Sequence, residues 1–311
     1  RRNASGLDLA NEACLTTLSE ALSAPAVSPL AAAAPGEPRP IRNPADHRDV
    51  VGHVVDATPA VVEAALSTAT EAAPAWAALS PAGRAEILDR AAALMEARMP
   101  ALLDVIVREA GKSMPNAVGE VREAVDFLRY YAAQIRDGWS AATHRPLGVV
   151  ACISPWNFPL AIFTGQVAAT LAAGNAVLAK PAEETPLTAA LAIGLLHEAG
   201  VPSGALHLLP GDGEVGARLV ADARTRGVLF TGSTEVARLI ARGLAERLNP
   251  DGTPVPLIAE TGGQNAMVVD STALPEQVVA DVLASAFDSA GQRCSALRLL
   301  CLQEDVADRV L

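Results

Sequence analysis

A chain of 311 residues that is 50% hydrophobic and 19% charged has the length for two domains of ordinary size and the apolar content for a large core, which excludes disorder. Its 24 basic and 35 acidic side chains give a net charge of −11. With no Lys/Arg-rich stretch, this composition speaks against nucleic-acid binding by this segment. The four cysteines, Cys14, Cys152, Cys294 and Cys301, form no Cys-x-x-Cys and no zinc-like spacing with histidine, so they read as reduced thiols of a cytoplasmic chain with no metal site.

The opening Arg1-Arg2-Asn3 is not followed by an apolar run, so no secretory signal is visible. Leu7, Leu9, Leu15, Leu18 and Leu22 recur at helix-like intervals, which predicts a helix within residues 1–23 that docks on a neighbouring part of a larger protein. Residues 24–40 hold five prolines and one glycine among alanines. That composition predicts a tether without regular structure. From Thr58 to about Trp139 the pattern is helical, and Thr58-Pro59 and Ser80-Pro81 each read as a hydroxyl cap followed by proline. Three or four helices fit this stretch.

Beyond it the period changes. Apolar runs over 148–154, 176–180, 205–210, 227–231 and 256–260 alternate with helical stretches over 160–173, 186–199, 214–222 and 234–247, the signature of βαβ units and a parallel sheet. Asn265 to Asp270 reads as a strand, Pro275 to Ala290 as a helix and Leu297 to Leu302 as a strand. No charged residue occurs between Arg145 and Lys180. Prolines, glycines, Asn157 and Gln166 interrupt that span, so it reads as a buried strand, helix and strand rather than a membrane helix.

Several short motifs carry chemistry. Glu260 lies in Glu-Thr-Gly-Gly and Cys294 in Gly-Gln-Arg-Cys-Ser; a thiol that attacks a carbonyl and a carboxylate that activates water suit covalent oxidation of an aldehyde. Arg293 beside the thiol, and a helix start there, would favour the thiolate. A cysteine protease needs a histidine base, and the contexts of His47, His53, His144, His197 and His207 suggest none. Asn157 lies in an apolar loop bracketed by Pro155 and Pro159, where its amide needs a partner. Lys180 and Glu183 follow a strand at the end of the sheet where ligands bind, and a carboxylate there would accept a ribose 2′-hydroxyl but repel a 2′-phosphate. Gly232-Ser233 joins a strand to a helix whose free amides can hold a pyrophosphate. Gly211-Asp-Gly213-Glu-Val-Gly216 satisfies Gly-x-Gly-x-x-Gly with Glu235 about twenty residues on, a match of low specificity because short glycine-rich turns of this kind are common.

Pro155-Trp156-Asn157-Phe158-Pro159, Lys180-Pro-Ala-Glu183, Phe230-Thr-Gly232-Ser233, Glu260-Thr-Gly262-Gly263 and Cys294, in that order, resemble the aldehyde dehydrogenase superfamily. The segments 1–12, 259–267 and 284–298 further resemble its bacterial bifunctional proline utilization A branch, in which a flavin-dependent proline dehydrogenase is joined to an L-glutamate γ-semialdehyde (1-pyrroline-5-carboxylate) dehydrogenase; the similarity corresponds to the second activity. The resemblance implies an α/β fold with a Rossmann-type parallel sheet and flanking helices. It implies an N-terminal helix and linker over 1–40, an NAD-binding domain over 41–263 and the start of a catalytic domain over 264–311. Implied roles are Cys294 as nucleophile, Glu260 as base and Asn157 in the oxyanion hole. Ile153, Pro155, Trp156, Lys180, Glu183, Gly213, Gly232, Ser233 and Gly262 would lie around NAD, Phe158 would line the aldehyde channel, and Arg293 is a candidate for the substrate carboxylate. The family commonly has glycine where this chain has Ala237. Family members continue well past the nucleophile, whereas this chain ends 17 residues after it (311 − 294), so little turnover is expected of it alone. FAD would belong to a proline dehydrogenase domain outside these residues, membrane association to other segments, and a homo-oligomer to the intact protein. The alternatives are a non-catalytic nucleotide-binding segment, a dehydrogenase of another semialdehyde, and an acylating enzyme that passes its thioester to coenzyme A, which the presence of Glu260 disfavours.

Overall fold

The computed structural model describes residues 2–23 and 30–311. Helix α1 (Glu12–Ser23) buries Leu18, and Leu7, Leu9 and Leu22 pack on the same core. The neighbouring part on which it docks is this chain's own α4, defined below. Part of the predicted tether falls in the undescribed residues 24–29. The remainder is not structureless: β1 (Leu30–Ala32) and β2 (Arg39–Arg42) flank β3 (Val50–Val55), parallel and antiparallel respectively. Both flanking strands are edges, where a proline such as Pro40 removes no hydrogen bond that the sheet needs.

Four helices follow: α2 (Pro59–Ala78), α3 (Pro81–Ala97), α4 (Met99–Ala110) and α5 (Met114–Gly138). The two hydroxyl caps form, with Thr58 Oγ1 accepting from the Val61 amide at 3.3 Å and Ser80 Oγ from the Gly83 amide at 3.1 Å. Then come β4 (Val149–Ile153), α6 (Ala161–Ala172), β5 (Ala176–Lys180), α7 (Pro186–Ala199), β6 (Leu206–Leu208), α8 (Gly213–Ala221), β7 (Thr225–Gly232), α9 (Thr234–Ala245) and β8 (Leu257–Thr261).

The five strands are all parallel, in the order β6-β5-β4-β7-β8. Side chains alternate across a strand, and both faces of β4 and β5 are covered. Val150, Cys152, Val177 and Ala179 pack with α3 to α7, whereas Val149, Ala151, Ala176 and Leu178 pack with α2, α8 and α9. The charge-free span is thus β4, α6 and β5 inside a three-layer sandwich. Among the described residues no helix is long and apolar enough to cross a membrane. Strand order reverses between β4 and β7, which opens a crevice at their carboxyl ends.

Past β8, β9 (Asn265–Val269) and β10 (Leu297–Leu302) pair in parallel as a separate two-stranded sheet, with α10 (Pro275–Phe287) between them and α11 (Glu304–Val310) after. The helix expected over 275–290 stops at Phe287. Ser289, Ala290 and Gly291 have φ of 54°, 55° and 65°, three consecutive left-handed residues that no α-helix accommodates. A Cβ at Gly291 would lie 2.7 Å from the Ala286 carbonyl oxygen, so glycine is required there.

Candidate active site

A cleft of about 1380 Å³ opens at the carboxyl ends of β4, β7 and β8, and Cys294, Asn157 and Glu260 all line it. Cys294 is exposed and sits in a turn before β10, not at a helix start as the sequence reading supposed. Side-chain donors fix this turn by its carbonyls. Asn157 Nδ2 donates to Gln292 O at 2.8 Å, Arg298 Nη2 to Gly291 O at 2.7 Å, and Asn265 Nδ2 to Cys294 O at 2.7 Å and Ala296 O at 2.9 Å. One hydrogen of the Asn157 amide remains for another acceptor. Glu260 is exposed on β8, beside Thr231 of β7.

Arg293 lines the cleft, with Nη2 of its guanidinium engaged and Nε buried without a partner in the protein. Nη2 donates to Asp288 Oδ2 and to Ala284 O, both at 2.8 Å. Asp288 Oδ1 also accepts from Asn116 Nδ2 at 2.9 Å, and these partners hold its carboxyl below the usual carboxylate range, the Asn116 hydrogen bond being the main cause. Phe158 does not line the cleft: its ring lies over the Lys112 ammonium, 4.1 Å from Nζ to ring centre.

Every residue expected around the cofactor, namely Ile153, Pro155, Trp156, Lys180, Glu183, Gly213, Gly232, Ser233 and Gly262, faces the same cleft. Ser233 Oγ accepts from the Val236 amide at 3.2 Å and starts α9 next to the crevice. A Cβ at Gly232 would meet the far end of the Phe230 ring at 2.6 Å and displace it. Lys180 is 5% exposed, its Nζ 3.5 Å from Glu183 Oε2; burial lowers the ammonium pKa and the carboxylate opposes that. The Gly211–Gly216 turn follows the outermost strand β6, and α8 starts on Asp212, whose Oδ1 takes the Glu214 amide at 2.9 Å. A carboxylate already occupies the helix end that a phosphate would need.

A residue without a sequence motif ties together the strands that border the crevice. Gln166 of α6 joins the ends of β4 and β7, donating to Ile153 O at 3.2 Å and Thr231 Oγ1 at 3.0 Å. An amide inside an otherwise apolar helix was the available signal, since it must find partners when buried. Ser154 Oγ and Gln166 Oε1 are buried with no partner in the protein.

A fold that places a thiol, an amide and a carboxylate at the strand-order reversal of a doubly wound sheet defines a class. The chain belongs to the aldehyde dehydrogenase family, whose model matches residues 31–311. It is 63% identical to the bifunctional protein PutA of Escherichia coli (strain K12), over 100% of this chain and 24% of that protein. It is 43% identical to the 1-pyrroline-5-carboxylate dehydrogenase of Geobacillus kaustophilus, over 86% of this chain and 55% of that one. The structure of a Thermus 1-pyrroline-5-carboxylate dehydrogenase with bound NAD superposes with a TM-score of 0.93 at 35% identity, over 100% of this chain and 64% of that one. The chain therefore spans about a quarter of the PutA relatives and about half of the shorter dehydrogenases.

Proposed function

We propose that this chain is the cofactor-binding and nucleophile-bearing part of an NAD-dependent L-glutamate γ-semialdehyde dehydrogenase of proline catabolism, within a longer polypeptide that also holds a flavin-dependent proline dehydrogenase. Residues 41–263 form its NAD-binding domain and 264–311 the start of its catalytic domain. The observation that carries this reading is the single cleft shared by Cys294, Asn157, Glu260 and the start of α9.

The residues present fit a dinucleotide. The free amides at the start of α9 suit a pyrophosphate. Gly213 and Gly262 line the cleft with open space where a Cβ would stand. Glu183, at the end of β5, accepts a ribose 2′-hydroxyl and repels a 2′-phosphate, which favours NAD over NADP. Bound there, the nicotinamide supplies an acceptor for the hydride that leaves the substrate carbon.

The chain's own groups perform the remaining steps. The Cys294 thiolate bonds to the aldehyde carbon, and the carbonyl oxygen becomes an oxyanion. Its charge is taken up by the free Asn157 amide hydrogen and the Cys294 N–H. After oxidation the carbon is a thioester. Glu260 removes a proton from water, the oxygen bonds to the acyl carbon, and the C–S bond breaks to give glutamate and the free thiol. Arg293 is tied to Asp288 through Nη2, and its remaining guanidinium N–H groups keep it a candidate for the substrate carboxylate.

Two measurements test this reading. Titration with NAD should quench the fluorescence of Trp156, which lines the cleft and is 40% exposed, and NADP should bind about tenfold more weakly. In the intact polypeptide, NADH formation should be most efficient with glutamate semialdehyde, ahead of succinate semialdehyde and acetaldehyde. No saturable NAD binding, or a preference for acetaldehyde, would overturn it.

A further inference from the structure

Lys112 and Glu120 form a buried ion pair, Nζ to Oε1 2.7 Å, with side chains 5% and 1% exposed. Removing two charges from water costs several kcal/mol per ion before any attraction is counted, so a stability role alone is a weak reason for such a pair. Its contacts suggest another. Glu120 Oε2 accepts from the Leu160 amide at 3.2 Å and the Ala161 amide at 2.8 Å, closing the start of α6. Lys112 Nζ holds the Phe158 ring from below. The backbone is thus anchored at residues 158, 160 and 161, immediately after Asn157.

The same end of α5 reaches the other side of the site. Asn116 Nδ2 donates to Asp288 Oδ1, and Asp288 binds Arg293, the residue before the nucleophile. Asn157 in turn donates to Gln292 O. The contacts close a circuit from Lys112 and Glu120 through the 158–161 backbone, Asn157, Gln292, Arg293 and Asp288 back to Asn116.

We propose that Lys112 and Glu120 are positioning residues for thiol acylation: through Phe158 and the start of α6 they set the Asn157 amide against the Cys294 turn. This inference rests on the proposed role of Asn157, and it concerns residues that do not touch the cleft.

The test compares two reactions of Cys294 in the 311-residue chain. In acylation by 4-nitrophenyl acetate the sulfur bonds to the carbonyl carbon, an oxyanion develops, and the C–O bond breaks to release nitrophenolate. In alkylation by iodoacetamide the sulfur displaces iodide and no oxyanion forms. Both products are assigned to Cys294 by peptide mass spectrometry, because Cys14, Cys152 and Cys301 are also free. Asn157→Ala should slow acylation about a hundredfold and leave alkylation within about twofold. Lys112→Met and Glu120→Gln should slow acylation about tenfold, again sparing alkylation, and Lys112→Arg should restore it. If a single variant does not fold, the double variant K112M/E120Q, which leaves neither charge unpaired, and Asn116→Ala at a half-buried position give the same readout. Unchanged acylation in the folded variants, or an equal loss in both reactions, overturns the inference while Asn157→Ala still behaves as expected. Should Asn157→Ala leave the ratio of the two rates unchanged, the oxyanion role fails first and this inference falls with it.

Discussion

Strands β4 and β5 are buried along almost their whole length, whereas β8, β9 and β10 leave Ile258 59%, Val268 81% and Leu299 52% exposed. The first pair has helices on both faces. The second group has little cover, and its key turn is shaped by Asn157, Asn265 and Arg298 holding carbonyls rather than by packing. The β4–β5 side of the cleft is therefore held by a core, and the Cys294 side by directed hydrogen bonds. Damage to the first should appear as lost stability, and damage to the second as lost chemistry in a folded chain.

The contrast is sharpest at leucine. Leu178→Ala, fully buried in β5, should cost about 2–5 kcal/mol in urea unfolding, through lost transfer energy and the cavity left behind. Leu299→Ala on the exposed strand should change stability by no more than about 0.5 kcal/mol. Equal losses at the two sites would break the comparison.

A buried carboxyl extends it to pH. Glu109 of α4 accepts from the Leu187 amide at 2.6 Å and the Thr188 amide at 2.8 Å, and burial pushes its pKa from 4.5 up to about 7. The folded state then holds this proton more tightly than the unfolded one. The associated stability is full below pH 4.5 and is lost as pH rises to about 7, by about 3 kcal/mol for that shift. Glu109→Gln should flatten this part of the stability–pH curve, measured by denaturant midpoints at pH 5 and pH 7.5. An unaltered slope would contradict the assignment.

Smaller effects are expected at the cofactor end. Glu183→Gln removes the charge facing a 2′-phosphate and should tighten NADP relative to NAD about tenfold in fluorescence titrations, about 1.4 kcal/mol. Ser233→Ala removes the cap of α9 and should cost about 1 kcal/mol of stability, together with a modest weakening of NAD binding.

The sheet was legible in the sequence because its strands are continuous apolar runs bounded by caps and glycines. The run predicted over 176–180 matches β5, and 256–260 lies one residue from β8. The three-stranded sheet was not, because the proline-rich composition of 24–40 reads as tether and only edge position makes Pro40 tolerable in β2. Cys294, Glu260 and Asn157 were legible as motifs. Lys112, Glu120, Asn116 and Asp288 were not, because charged and polar residues near a helix end ordinarily face water, and only tertiary packing buries the first two.

Sulfur and carboxylate are proposed to serve one carbon in succession, and Glu260→Gln tests that order most directly. In the intact polypeptide, with glutamate semialdehyde and NAD, mass spectrometry of this variant should show an acyl group persisting on Cys294, formed with one equivalent of NADH and hydrolysed at least about a hundredfold more slowly than in the unaltered polypeptide. No adduct, an adduct on another cysteine, or hydrolysis at the unaltered rate would contradict it.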